Sequence, residues 1–233
     1  MKTIKYPSEQ RGQANYGWLN ARYSFSFANY YNPENIHFGV LRVLNDDIIQ
    51  PGMGFGTHPH DNMEIITIPL KGTLMHQDSM GHQSEIKAGE VQVMSAGTGI
   101  RHSEFNGSEE ETLNLFQIWI FPIREGLKPR YDQKKFNIEN GKTVLLVSPD
   151  GRNESLSINQ NAFISRIKTE KGLATTYPLY SEGNGLFVML IEGNAEIAGE
   201  NLKKRDAVSI KNVNEIEISA TDNLDLLILE VPV

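Results

Sequence analysis

Two histidines separated by one proline place the tightest constraint on how this chain can fold. Residues 52–64 read G-M-G-F-G-T-H-P-H-D-N-M-E, with Pro59 between His58 and His60. Proline lacks an N–H and breaks a helix interior, so the run belongs to a strand start or edge, where residues two apart point to the same side. Both imidazoles then converge on one point, an arrangement suited to a metal ion. The glycines at 52, 54 and 56 are expected to supply sharp turns or close backbone approach where the strand enters the mouth of a barrel.

A second pair follows in residues 94–106, M-S-A-G-T-G-I-R-H-S-E-F-N, where His102 and Glu104 have the same spacing. On neighbouring strands with inward parity, three imidazoles and one carboxylate surround a single ion and leave positions open for water, substrate or dioxygen. Parity also admits Glu64, four residues after His60, as the carboxylate. His76, which has no such partner, reads either as a hydrogen-bonding neighbour or proton shuttle of the ligands, or as a hairpin residue bonded to backbone. Asp78 beside it is a common turn former.

The rest of the chain alternates short apolar strands with turns, which predicts an all-β fold. Residues 38–49 read as a strand that turns at Asn45-Asp46-Asp47; 63–70 and 73–77 form a hairpin about Lys71-Gly72. Tyr23, Phe25 and Phe27 alternate with serines as in a half-buried strand, and some of the aromatics in 11–31 are candidates to line an apolar mouth above the metal. Pro122, Gly126, Pro129 and the charged stretch 130–135 read as a connector. Beyond it, 186–199 echo 65–75, Lys203 to Ile210 echo Lys87 to Met94, and Leu224 to Val231 echo Leu113 to Ile120. All six histidines lie between residues 37 and 102, so the second copy lacks a histidine metal site.

Composition excludes several functions. The chain has no cysteine, which removes disulfides, zinc fingers, iron–sulfur clusters and thiol catalysis and fits a reducing, cytoplasmic home. The N-terminus has no signal-like apolar core, and no stretch approaches the run of about 20 apolar residues that spans a bilayer. A net charge of −7 argues against direct nucleic-acid binding.

F-G-T-H-P-H-D-N-M-E-I at 55–65, H-Q-D-S-M-G at 76–81, M-S-A-G-T-G-I-R-H-S-E-F-N at 94–106, L-F-Q-I-W-I at 115–120 and S-F-S-F-A-N-Y-Y at 24–31 together resemble the pirins of the cupin superfamily. The resemblance is to the bacterial branch linked to quercetin dioxygenase activity. It implies a bicupin of two tandem jelly-roll barrels, with residues 1–130 as the metal-binding domain and 131–233 as a degenerate barrel without ligands. The general cupin pattern is met by Gly52, His58, His60 and Glu64; its second half is met loosely, with Ser95 in place of proline and two extra residues before His102. Pirin resemblance favours Glu104 over Glu64 as the fourth ligand, leaving Glu64 beside the site. It implies one divalent metal, Fe(II) ahead of Ni, Co, Mn, Zn or Cu, and O2-dependent cleavage of a flavonol-like substrate with release of CO, in which Glu104 takes the substrate's hydroxyl proton. The alternative it implies is a metal-bound regulatory or redox-sensing protein acting through a protein partner.

Overall fold

The computed structural model describes all 233 residues, and apart from two 3-10 turns, Ser8–Gln10 and Arg152–Glu154, its regular structure is strand. The strands form two seven-stranded and two four-stranded sheets. The first large sheet runs Arg130–Lys135, Glu90–Ser95, Glu64–Lys71, Leu113–Ile120, Leu41–Ile49, Leu19–Tyr23, Gly12–Asn15. The second runs Lys2–Tyr6, Ala207–Lys211, Asn184–Glu192, Leu224–Pro232, Phe163–Thr169, Thr143–Ser148, Leu156–Ser157. Position by position they correspond except at the last edge, where Gly12–Asn15 is antiparallel to its neighbour and Leu156–Ser157 parallel. The small sheets, Gly54–His60, Ile100–Asn106, Thr73–Asp78, Gln83–Lys87 and Ala174–Pro178, Glu215–Ala220, Asn194–Ile197, Glu200–Lys203, correspond likewise. The sequence repeat is thus a structural repeat of two jelly-roll barrels, the expected all-β bicupin.

The large sheets are apolar on both faces because each has two cores to serve. In strand Leu113–Ile120, Leu113 and Leu115 face the interior of the first barrel, while Phe116, Ile118 and Ile120 join the cluster between the barrels. Strand Leu224–Pro232 behaves the same way, with Leu226 and Ile228 inside and Leu227, Leu229 and Val231 between. That inter-barrel cluster of 24 buried residues is the largest apolar core. The interior cores are unequal: 16 buried residues fill the second barrel, whereas the corresponding cluster of the first has eight, leaving space that polar side chains occupy.

Three local expectations change. Asn45-Asp46-Asp47 is not a turn; strand Leu41–Ile49 runs straight through it, because its pairing with Leu113–Ile120 on one side and Leu19–Tyr23 on the other outweighs turn propensity. The stretch 130–135 is not a connector but a strand paired with Glu90–Ser95 of the first barrel. The half-buried strand ends at Tyr23, and Phe27 bridges instead to Tyr30 in an irregular loop. The N-terminal strand Lys2–Tyr6 crosses over to pair with Ala207–Lys211 of the second barrel. The large sheets therefore do not part at residue 130: each is completed by a strand from the other side of that point.

Candidate metal centre

Strand Gly54–His60 pairs antiparallel with strand Ile100–Asn106, with His58 opposite His102 and His60 opposite Ile100, and a bulge between His102 and Glu104. Pro59 and Thr57 point outward and the histidines inward, as the two-residue spacing requires. Gly54 is needed for the pairing: a Cβ there would lie 2.2 Å from the Glu104 carbonyl oxygen. At Gly56, by contrast, a Cβ would meet nothing, so the expectation of close approach fails at that position.

His58, His60 and His102 present ring nitrogens within 4.8 Å of one another. Their ring centroids are 4.4–4.9 Å apart. Glu104 groups within the same limit with His102 and His76, so His102 is the hinge between the trio of histidines and the carboxylate. The donor set fits a divalent transition metal on physical grounds. Both ring nitrogens of buried His102 lack a hydrogen-bond partner, which is costly unless an ion takes one. His58 Nδ1 donates to the Gly56 carbonyl (2.8 Å), fixing the tautomer that leaves Nε2 free to ligate. Burial, then the neighbouring imidazoles, pushes His102 down to about 3 and His60 down to about 4, so both rings are neutral and ready to donate a lone pair.

Glu104 is held rigidly. Gln117 Nε2 donates to its Oε2 (2.8 Å) and Thr67 Oγ1 to its Oε1 (3.3 Å), while complete burial raises its carboxyl above the ordinary range. Glu64 lies elsewhere. It accepts from Ser95 Oγ (2.7 Å) and from Asn159 Nδ2 of the second half (3.0 Å), so both oxygens are engaged in a link between the barrels. Buried His76 donates through Nε2 to Asp78 (3.3 Å), which also accepts from His82 Nδ1 (2.9 Å). Tyr131 stacks on both imidazoles, at 4.8 and 4.7 Å. Asp78 also accepts from the backbone N–H groups of Met80 and His82, so it forms the turn as well as anchoring His76.

A cavity of about 410 Å3 opens beside the histidines, walled by Trp18, Phe27, Phe55 and Trp119, with Asp47, Asn45, Gln117 and Glu104 on its polar side. Asp47 is a member that the sequence reading missed. Burial, reinforced by the charges of Asp46 and Glu104, pushes it up to about 8, so it is a protonated donor at neutral pH, and its Oδ1 has no partner. Thr67 and Gln117 were equally invisible. The repeat holds the signal that finds them. Following the strand registers, Asp47, Thr67, His76, His102, Glu104 and Gln117 correspond to Ile167, Val188, Ile197, Ile216, Ile218 and Ile228, all in the second barrel's core. At these six positions the first barrel points a polar side chain inward and the second an aliphatic one.

A sequence-family model described as Pirin matches residues 6–120, and one described as the quercetinase C-terminal cupin domain matches residues 145–231. The quercetin 2,3-dioxygenase of Escherichia coli strain K12 is 44% identical over 225 residues, covering 97% of this chain and 96% of its own. The chain belongs to the pirin family. A pirin-like protein of Caulobacter vibrioides is 41% identical to this pirin over 227 residues, covering 96% and 97% of the two chains. Among solved structures, the bacterial pirin YhhW of Escherichia coli in complex with nickel(II) superposes on this pirin with a TM-score of 0.95, at 41% identity and 99% coverage of both chains.

Proposed function

We propose that this pirin is a metal-dependent dioxygenase that cleaves quercetin or a related flavonol, with His58, His60, His102 and Glu104 as the metal ligands and Fe(II) as the working ion. The observation that carries the reading is a cluster of three histidines and one carboxylate of which His58, His60 and Glu104 open into an aromatic-walled cavity of about 410 Å3, a size that suits a small organic ligand. The quercetin dioxygenase named among its relatives and the nickel complex of YhhW support the substrate class and the presence of one transition metal. When bound, the metal supplies a Lewis-acid site that acidifies a coordinated enol and the redox chemistry that dioxygen requires.

The chain's own groups do the rest. Trp18 meets Phe55 edge-on (5.2 Å) and Phe27 meets Trp119 (5.3 Å), forming a wall against which a planar polycyclic substrate packs and from which water is excluded. Glu104, raised by burial and oriented by Gln117 and Thr67, is placed to take the substrate's hydroxyl proton. Protonated Asp47 offers a hydrogen bond to a substrate oxygen from the large sheet, across from the small sheet that carries the ligands. His76 orients the ligand cluster from behind, tied to Asp78. The metal is assigned to residues 1–130, and residues 131–233 serve as its metal-free partner barrel, supported by the aliphatic residues at the second barrel's corresponding positions. No helix is long and apolar enough to cross a membrane, and the lack of cysteine supports a cytoplasmic location.

Iron-loaded protein is expected to consume O2 on addition of quercetin and to release CO, with metal-stripped protein inert. Oxygen uptake and gas analysis on the two preparations test this, and equal uptake with and without metal would contradict it.

A further inference from the structure

The largest concavity of the molecule is not the metal cavity. It is a cleft of about 970 Å3 between the barrels, formed where the apolar inter-barrel core ends and strand Leu41–Ile49 continues past Leu44 to Asp46 and Ile48. Seven cationic and four acidic side chains line it, a local surplus of three positive charges in a chain whose net charge is −7.

The acids in the cleft do not saturate the cations. Asp225 is shared by Arg166, through two hydrogen bonds (2.8 and 2.6 Å), and by Lys168 at 3.8 Å. Asp46 stands between Arg11 at 3.6 Å and Arg205 at 3.3 Å. Lys204 holds Glu192 (2.8 Å) and Glu9 accepts only from Ser8 Oγ, which leaves Lys71 and Arg22 without an ion-pair partner. The Arg11 side chain is only 3% exposed, its Nε has no hydrogen-bond partner, and burial pushes it down to about 10. Its ion-pair partner Asp46 is shared with Arg205, so the buried charge is under-compensated and an anion in the cleft is favoured.

Arg205 carries a second, independent sign. It occupies the turn before strand Ala207–Lys211 with φ +68°, a conformation that strains an L residue. Through the paired registers of Lys203 with Asn194 and Lys87 with Thr73, its counterpart in the first barrel is Gly89, at φ +91°. The fold is content with glycine at this turn, so the arginine is present for its side chain. That side chain reaches into the cleft, stacks over the Phe116 ring (5.2 Å) and donates through Nη2 to Asn114 Oδ1 (3.1 Å).

We propose that this cleft binds a small organic dianion of the phosphomonoester or dicarboxylate class, its charges held by Arg11, Arg205 and Lys71 and its carbon skeleton laid against Ile48, Leu70 and Ile191. The site lies on the other face of the strand that presents Asp47 to the metal cavity, since Asp46 and Asp47 are neighbours on strand Leu41–Ile49. It is separate from the metal ligands and takes a different ligand.

The test uses isothermal titration of the metal-loaded full chain with naphthalene-1,5-disulfonate, a rigid dianion that is a poor metal ligand. One site per chain is expected, weakening as salt is added. Arg205→Gly relaxes the backbone at the turn while removing the guanidinium, and is expected to weaken binding at least tenfold; Lys71→Glu, at an exposed position, is expected to do the same. Competition by phenyl phosphate or by glutarate then tells the phosphate source from the carboxylate one. The proposal is overturned by an absence of saturable binding, by affinity unchanged in both variants, or by failure of both competitors to displace the probe.

Discussion

At the scale of single residues, the two candidate carboxylates have separate employment. Glu104 is buried beside the histidines and aimed by Gln117 and Thr67, whereas both oxygens of Glu64 are bound to Ser95 and Asn159. Glu104→Gln removes the proton acceptor and is expected to lower turnover of quercetin by a factor of 100 or more, on the order of what a lost general base costs. Glu64→Gln is expected to retain its metal and most of its turnover, and to show its effect as a lower Tm. Steady-state rates and metal content on both variants check this. Asp47 offers a pH test. Its carboxyl is near 4 in an unfolded chain and is pushed up to about 8 in the folded one, so the folded state holds the extra proton between those values. Its contribution to stability is complete below about pH 4 and is lost as pH rises through about 8. Asp47→Asn is therefore expected to flatten the decline in Tm of metal-free protein across that range; parallel curves for variant and parent would contradict it. The histidine pairs were readable because spacing and parity are local. Thr67 and Gln117 were not, because each sits singly in an apolar strand buried on both faces, where no period distinguishes inside from outside, and Asp47 was not, because it closes a polar triplet with the composition of a turn.

At the scale of elements, the strands that carry the histidines were legible and the ones that support them less so. Asn45-Asp46-Asp47 has the composition of a turn, but its side chains serve both faces of the sheet: Asp46 pairs with Arg11 and Arg205, while Asn45 and Asp47 line the cavity beside the histidines. Local propensity lost to long-range contacts that no short window contains. Arg130–Lys135 is charged because one side of this edge strand faces solvent, and only its pairing with Glu90–Ser95 reveals it. The pairing of Gly54–His60 with Ile100–Asn106 depends on the bare backbone of Gly54, which lies against Glu104 and Phe105. Gly54→Val is expected to push these strands apart, destabilising the fold by about 1–3 kcal/mol and lowering metal affinity together with it. Chemical denaturation and metal titration of the variant measure both effects; an unchanged metal affinity would show that the strand spacing is not what places the histidines.

At the scale of the whole molecule, the duplication explains why a barrel without ligands persists. That barrel supplies 13 of the 24 residues of the core against which the histidine-bearing barrel's sheet packs, and the two are laced by strands Lys2–Tyr6 and Arg130–Lys135. Deleting residues 1–6 removes the edge pairing with Ala207–Lys211 and the packing of Tyr6 on Phe187 (5.2 Å). The loss of that ring's burial alone is about 2 kcal/mol, which for a chain of this size lowers Tm by roughly 4–8 °C in a thermal melt. Tandem barrels were foreseeable from the echo of residues 65–75 in 186–199; the exchange of edge strands was not, since nothing local to residues 2–6 names a partner two hundred residues away. The central claim is that one metal ion per chain sits on the histidines of the first barrel and that flavonol oxidation happens there. Metal content, measured by elemental analysis, and quercetin-dependent oxygen uptake on the same preparations of parent and His102→Ala protein test it most directly. The account expects one metal per parent chain, with metal and uptake both lost in the folded variant; a variant that keeps full occupancy and full uptake would contradict it.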